Sequence, residues 1–121
     1  MGSISYKDLV VWQKSTDLVV AVYDLTENFP RTELFGLNSQ MRRSAVSIAC
    51  NIAEGSKRGT KKDFRKFLLI SYGSGAELET QIIIAKRLSF GKKLDFSKVD
   101  SLLVEVMKML HAMTDSLVSS S

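Results

Sequence analysis

From Phe64 onward, apolar and small residues fall at Leu68, Ser71, Gly75, Leu78, Ile82 and Ala85, in alternating steps of four and three. That period places all seven on one face of a helix and is incompatible with a strand, whose faces alternate every second residue. Three more segments repeat it. Val11, Leu18, Val22, Leu25 and Phe29 line one face, widened by Leu9, Trp12, Val19 and Tyr23. Met41, Ala45, Ile48 and Ile52 form another, and Val99, Leu103, Val106, Leu110, Met113 and Leu117 the last. Pro30 is the only proline, and no Asn-Gly turn or polar–apolar alternation argues for a hairpin.

The prediction is an all-α chain with helices over residues 6–28, 33–55, 61–88 and 97–118 in one domain, 1–121. Short connections favour antiparallel neighbours, hence an up-down-up-down four-helix bundle. Three Ser/Thr-x-x-Asp starts, Ser5 to Asp8, Thr60 to Asp63 and Ser97 to Asp100, suit helix N-caps. Gly55 suits the left-handed position past the end of the second helix. That helix begins either at Thr32 or, after a short turn, near Asn38. The tail Ser119–Ser121 is expected to fray.

Two faces exceed what one bundle needs. Leu102 and Met109 flank the seam of the last helix, and "IIIA" at residues 82–85 covers most of the third helix's circumference. Such width favours self-association over a merely thick core. Gly73 and Gly75 each cost about 1 kcal/mol in a helix interior relative to alanine, which close approach of another backbone offsets.

Charge is where the sequence turns toward function. The net charge of +4 comes from seventeen basic and thirteen acidic residues. Lys57, Arg58, Lys61, Lys62, Arg65 and Lys66, with Asp63 their one acidic neighbour, carry the whole positive excess; the remainder has eleven basic and twelve acidic residues. A focused patch attracts polyanions better than dispersed charge does. "GSKRGTK" is no P-loop, because three residues separate Gly55 from Gly59 where four are needed and no strand precedes it. The free N–H groups at a helix start can still hold an anionic oxygen, whereas lysines there gain nothing from the helix dipole. Polyanion binding is therefore favoured over a solvated cap.

A polar stripe, Gln40, Arg43, Ser47, Asn51 and Glu54, runs along the second helix, with Ser74, Glu77 and Gln81 as its counterpart on the third. If the faces meet, Arg43 pairs with Glu77 or Glu54 in a network that fixes register or a subunit contact; the other reading is a solvated face.

Catalysis finds no constellation. His111 and Cys50 stand alone, so no transition-metal cluster or cofactor site is expected. Cys50 reads as a small packing residue and His111 as a satisfied or surface one. Glu77 and Glu79 lie on different helix faces and do not form an acid–base pair. One cysteine, no leader-like start in "MGSISYKDLVVW" and no membrane-length apolar run predict a soluble cytoplasmic protein.

"DLVVWQKS", "LTENFPRTELFGLNSQMRRSAVSIACNIAEGSKR" and "FRKFLLISYGSGAELETQ" resemble the four-helix bundle proteins encoded within intervening sequences of bacterial 23S ribosomal RNA genes, over about Tyr6 to Leu117. The chain departs at Ala49, where relatives often carry proline. The resemblance implies an antiparallel bundle assembled into a ring-like homopentamer, with nucleic-acid binding as the usual suggestion. It matches Arg42, Arg43 and Arg58 to basic positions of the family, and Asn51, Glu54, Gly55, Ser74, Glu77 and Glu79 to polar and small ones. A more distant branch comprises accessory proteins of diversity-generating retroelements, which work with a reverse transcriptase.

The combined expectation is a non-catalytic oligomer holding RNA or DNA by its phosphates, through Lys57, Arg58, Lys61, Lys62, Arg65, Lys66, Arg42 and Arg43. Repeating one weak basic segment around a ring multiplies its contacts. No aromatic platform is expected beside the patch, since Phe64 and Phe67 suit the core, so sequence-specific reading is not predicted. The alternative is a scaffold for a protein partner such as a reverse transcriptase.

Overall fold

A computed structural model describes residues 5–118, which contain four α-helices, three short 3-10 turns and no strand. The expectations for the leader segment and for the serine tail lie in part or whole outside these residues. The helices are α1 (Val10–Thr26), α2 (Leu37–Ser56), α3 (Lys61–Arg87) and α4 (Ser97–Ser116).

The predicted first helix is divided. Ser5 accepts a hydrogen bond from the Lys7 N–H at 3.2 Å and caps a 3-10 turn, Tyr6–Asp8, not the long helix. Leu9 is extended, which lets its side chain reach the core before α1 begins. Beyond α1, Phe29 is buried and meets Phe90 edge to face at 4.8 Å, anchoring the turn that follows α4's neighbour α3.

The start of α2 resolves as a turn and a new beginning. After a 3-10 turn, Arg31–Glu33, the Leu37 N–H donates to Glu33 Oε1 at 3.2 Å. Glu33 thus supplies the carboxylate that Gly36, at the N-cap position, lacks. The helix runs unbroken through Ala49, which is buried.

Gly55 is not the left-handed residue past the helix end. The helix continues to Ser56, Gly55 is buried inside it, and the positive φ of 90° belongs to Gly59. Packing explains the swap. A Cβ on Gly55 would lie 2.6 Å from Phe67 Cβ and 3.1 Å from Phe64 Cδ1, so α3 crosses α2 here at a distance only glycine permits. The backbone approach expected at Gly73 and Gly75 is not found within the chain: Gly75 faces only the side chain of Met107 on α4, and a Cβ on Gly73 would meet nothing within 4 Å.

At the start of α3, Thr60 Oγ1 accepts from the Asp63 N–H at 3.1 Å, as the sequence predicts. The third cap differs. Ser97 is the first residue of α4, and its N–H donates to Asp95 Oδ1 at 2.9 Å, while Asp100 reaches across to Lys86 at 2.6 Å. Hydrogen bonds from the Ser97 side chain and then its backbone hold the Asp95 carboxyl below the usual range. Whatever stability this cap adds is full above the ordinary carboxylate pKa and fades as pH falls through the lowered value.

Each helix packs against two others: α1 against α2 and α4, α3 against α2 and α4. The predicted stripes converge on one buried cluster containing Leu18, Val22, Met41, Ile48, Ile52, Leu68, Leu78, Val106 and Leu110, all with no exposed surface. Burial of each such Leu, Ile or Val side chain stabilises by about 1.5–3 kcal/mol relative to exposure. Phe64, Met113 and Leu117 are half-buried at its edges, and Tyr23 lies exposed. No described helix is long and apolar enough to cross a membrane.

The α2–α3 contact is the most extensive, and it carries buried hydroxyls. The Ser71 hydroxyl donates to the Ile48 carbonyl at 2.9 Å inside the core, and the Ser47 and Ser74 hydroxyls share a hydrogen bond of 2.9 Å. Gly55→Ala tests the tightness of this contact. Alanine gains about 1 kcal/mol of helix propensity, but overpacking against Phe67 costs about 1–3 kcal/mol. Urea unfolding is expected to show net destabilisation; an unchanged or raised midpoint would mean the helices are not held that close.

Candidate nucleic-acid interface

The chain leaves α2 at Ser56, turns through Lys57, Arg58 and the left-handed Gly59, and re-enters helix at Lys61 under the Thr60 cap. This turn brings the six clustered cations to one end of the α2–α3 pair. They are not equivalent. Arg58 lies 4.9 Å over the Phe67 ring and 3.5 Å from the Glu54 carboxylate. Lys57 sits 6.0 Å from the centre of the Tyr6 ring. Arg65 reaches across to α4, where its Nε donates to the Thr114 carbonyl at 3.0 Å. That carbonyl lies in the last turn of α4, where it also accepts the Leu117 N–H at 3.3 Å and where positive charge is favoured.

Lys61, Lys62 and Lys66 remain. All three are exposed and form no ion pair with the described residues. Thr60 engages the Asp63 N–H and the Phe64 N–H bonds the Thr60 carbonyl, leaving the N–H groups of Lys61 and Lys62 at the helix start. Lys62 and Lys66 border an open groove that continues onto the exposed side chains of Leu69 and Ile70. Phe64 and Phe67, half-buried against Gly55, are not a stacking platform.

Arg42 and Arg43 belong elsewhere. They precede Lys57 by fourteen or more residues on α2, about 21 Å at 1.5 Å per residue, and so face a second corner. There the Arg42 guanidinium lies 4.2 Å over the Tyr23 ring. Its Nε donates to Thr26 Oγ1 at 2.8 Å and its Nη2 to the Tyr23 carbonyl at 3.3 Å. The Asn38 amide adds a bond to the Thr26 carbonyl at 3.0 Å, so two side chains of α2 tie down the end of α1. Arg43 is exposed.

The polar stripe is only partly a network. Ser47 meets Ser74, and the Asn51 amide donates to the Ser47 carbonyl at 2.8 Å and hydroxyl at 3.0 Å. Gln40, Arg43, Glu54 and Glu77 are exposed, and the expected pairing of Arg43 with Glu77 or Glu54 does not form. Glu54 stands three helical turns from Arg43, about 16 Å along the axis, and has Arg58 one turn away instead. Gln81 turns its side-chain oxygen inward, where it finds no hydrogen-bond partner.

Cys50, expected to pack, is exposed, because the buried stripe passes through its neighbours Ala49 and Ile52. His111 is exposed and 3.4 Å from Asp115. No group of three His, Cys, Asp or Glu residues is arranged for a metal ion among the described residues.

Sequence reasoning missed Phe35. Its ring is 92% exposed, more than any other large apolar side chain described, and it borders a groove shared with Tyr23, Arg42 and Arg43. The available signal was "LF" at residues 34–35, apolar residues outside the Met41–Ile52 stripe and just before Gly36.

Comparison with curated proteins gives no match. The family model of the 23S rRNA-intervening sequence protein matches residues 7–112, all but the first six and last nine residues. With four helices where the resemblance implies four, the chain belongs to the 23S rRNA-intervening sequence protein family.

Proposed function

We propose that this protein is a non-catalytic oligomer that holds nucleic acid by its phosphate backbone, at the corner where α2 turns into α3, without reading sequence. The observation that carries this reading is the trio Lys61, Lys62 and Lys66. Lys61 and Lys62 occupy the positive first turn of α3 and Lys66 stands one turn further on; all three are exposed and have no carboxylate partner among the described residues. Such an arrangement costs stability in the free chain and is repaid when an anion arrives. Arg58 and Lys57 extend the field, while Arg65 keeps two guanidinium nitrogens beyond the one bonded to Thr114.

The same reading includes an up-down-up-down bundle in a single domain. The pairs that meet support it: Thr26 with Asn38, Ser47 with Ser74, Lys86 with Asp100, and Lys14 with Glu105 at 3.1 Å. It also includes a ring-like homopentamer, the assembly that the family resemblance implies. Leu69, Ile70, Ile83 and Ile84 on the outer side of α3 are between 43% and 51% exposed. Gly73 lies among them with open space at its Cβ position. An apolar, glycine-notched helix face suits the close approach of another subunit, and a ring would repeat the basic corner once per chain.

Two experiments bear on this. Affinity for mixed-sequence RNA or duplex DNA is expected to fall steeply with salt. Lys61→Glu with Lys62→Glu and Lys66→Glu should flatten the log–log slope by about 0.7–0.9 per lost phosphate contact. Absence of binding at low salt would sink the proposal, and so would a slope the triple variant leaves unchanged. Light scattering is expected to give a multiple of the 13.5 kDa chain mass, reduced by Gly73→Leu without loss of helix content. A single-chain mass for the unaltered protein would refute the assembly.

A further inference from the structure

We propose that the groove between the end of α1 and the start of α2 is a second site, which takes an unpaired nucleobase, with Phe35 as the stacking surface and Arg43 on the adjoining phosphate. The inference rests on the nucleic-acid reading above and adds to it a preference for single-stranded segments.

Phe35 plays no part in the fold. Its ring is 92% exposed, outside the core cluster, and paired with no other aromatic ring among the described residues. The backbone around it is nonetheless fixed. The Gly36 N–H donates to the Glu33 carbonyl at 3.1 Å and the Leu37 N–H to the Glu33 carboxylate at 3.2 Å. A ring presented on a fixed turn loses little entropy when something covers it.

The groove beside it has a volume of about 660 Å³, ample for a nucleotide. Arg42 and Arg43 line it and no carboxylate does, so its occupant is anionic. Arg42 is held over the Tyr23 ring by its own hydrogen bonds, whereas Arg43 is exposed and without an ion pair among the described residues. A cation held over a ring, an exposed aromatic ring and an exposed cation without an ion pair form the combination that binds bases by stacking and phosphates by charge. A duplex hides its base faces; a single strand offers them. The site therefore discriminates strandedness, not sequence, because every base has a π-face.

The test compares three fluorescent probes of equal length: a mixed-sequence single strand, its duplex, and an abasic single strand retaining the sugar–phosphate chain. The native protein is expected to bind the single strand more tightly than the abasic one. Phe35→Ala should weaken single-strand binding on the order of tenfold, leaving the abasic and duplex probes unchanged. Phe35→Trp should restore it, and Arg43→Gln should weaken all three probes. Equal single-strand affinity for native and Phe35→Ala proteins overturns the base site and leaves the phosphate reading standing. Loss of assembly mass in Phe35→Ala, with affinity for every probe falling together, also overturns it, because the groove is then a contact between subunits. If no probe binds at low salt, both readings fall. Phe35→Ala touches no buried contact, so unchanged helical circular dichroism keeps these outcomes interpretable.

Discussion

The close crossing of α2 and α3 governs the rest of the molecule. Where Gly55 passes Phe64 and Phe67 there is no room for a methyl group, and one helical turn or more further in, hydroxyls replace apolar side chains at the contact. Ser71 spends its hydroxyl on the Ile48 carbonyl and Ser47 shares a hydrogen bond with Ser74, so these serine hydroxyls have partners at the seam, while the Gln81 side-chain oxygen further along α3 has none. Two rods, about 30 and 40 Å long by helical rise, are thereby held together up to the four-residue turn from Lys57 to Thr60. The cations sit at the tip because the helices meet there.

Charge in this protein does two jobs, and the structure separates them. Arg42 and Arg65 each reach from one helix to the carboxyl-terminal carbonyls of another, Arg42 to the end of α1 and Arg65 to the end of α4. Positive charge stabilises such ends, typically by 0.3–1 kcal/mol or about that order at partly exposed sites. These arginines explain themselves by the fold. Lys61 and Lys62 do not, since they stand in the first turn of α3, at the wrong end of its dipole, and neither they nor Lys66 form an ion pair among the described residues. A residue that lowers stability where it stands is better explained by something outside the chain than by the chain itself.

The buried architecture was legible because the period of three and four is a property of the helix and does not depend on which helix it meets. Met41, Ala45, Ile48 and Ile52 went from pattern to core without correction. Features that depend on a neighbour were less legible. Glycine serves equally at a left-handed turn and at a close crossing, so the left-handed position expected of Gly55 falls to Gly59, and only the position of Phe67 shows that Gly55 serves the crossing. The carboxylate at the start of α4 comes from Asp95, upstream of the Ser97–Asp100 pattern, because Ser97 is already inside the helix, and Asp100 pairs with Lys86 of α3. For Arg43 the stripe allows either a pairing with Glu77 or Glu54 or a solvated face, and the structure gives the solvated one. Phe35 escaped notice because an apolar residue in a turn carries no periodicity to show whether it is covered.

The resulting picture is a bundle with cations at both ends of one helix: lysines at the α2–α3 tip, and an arginine pair with an uncovered phenyl ring at the other end. Its central claim is that these corners, and not the sides of the bundle, meet nucleic acid. Ultraviolet cross-linking of a 4-thiouridine-containing single strand at low salt, with the attached peptides identified by mass spectrometry, tests that claim most directly. The account predicts adducts on the peptides carrying Phe35 to Arg43 and Lys57 to Lys66. Adducts confined to α4 or to the outer face of α3 beyond Ile70, or none at all, would contradict it.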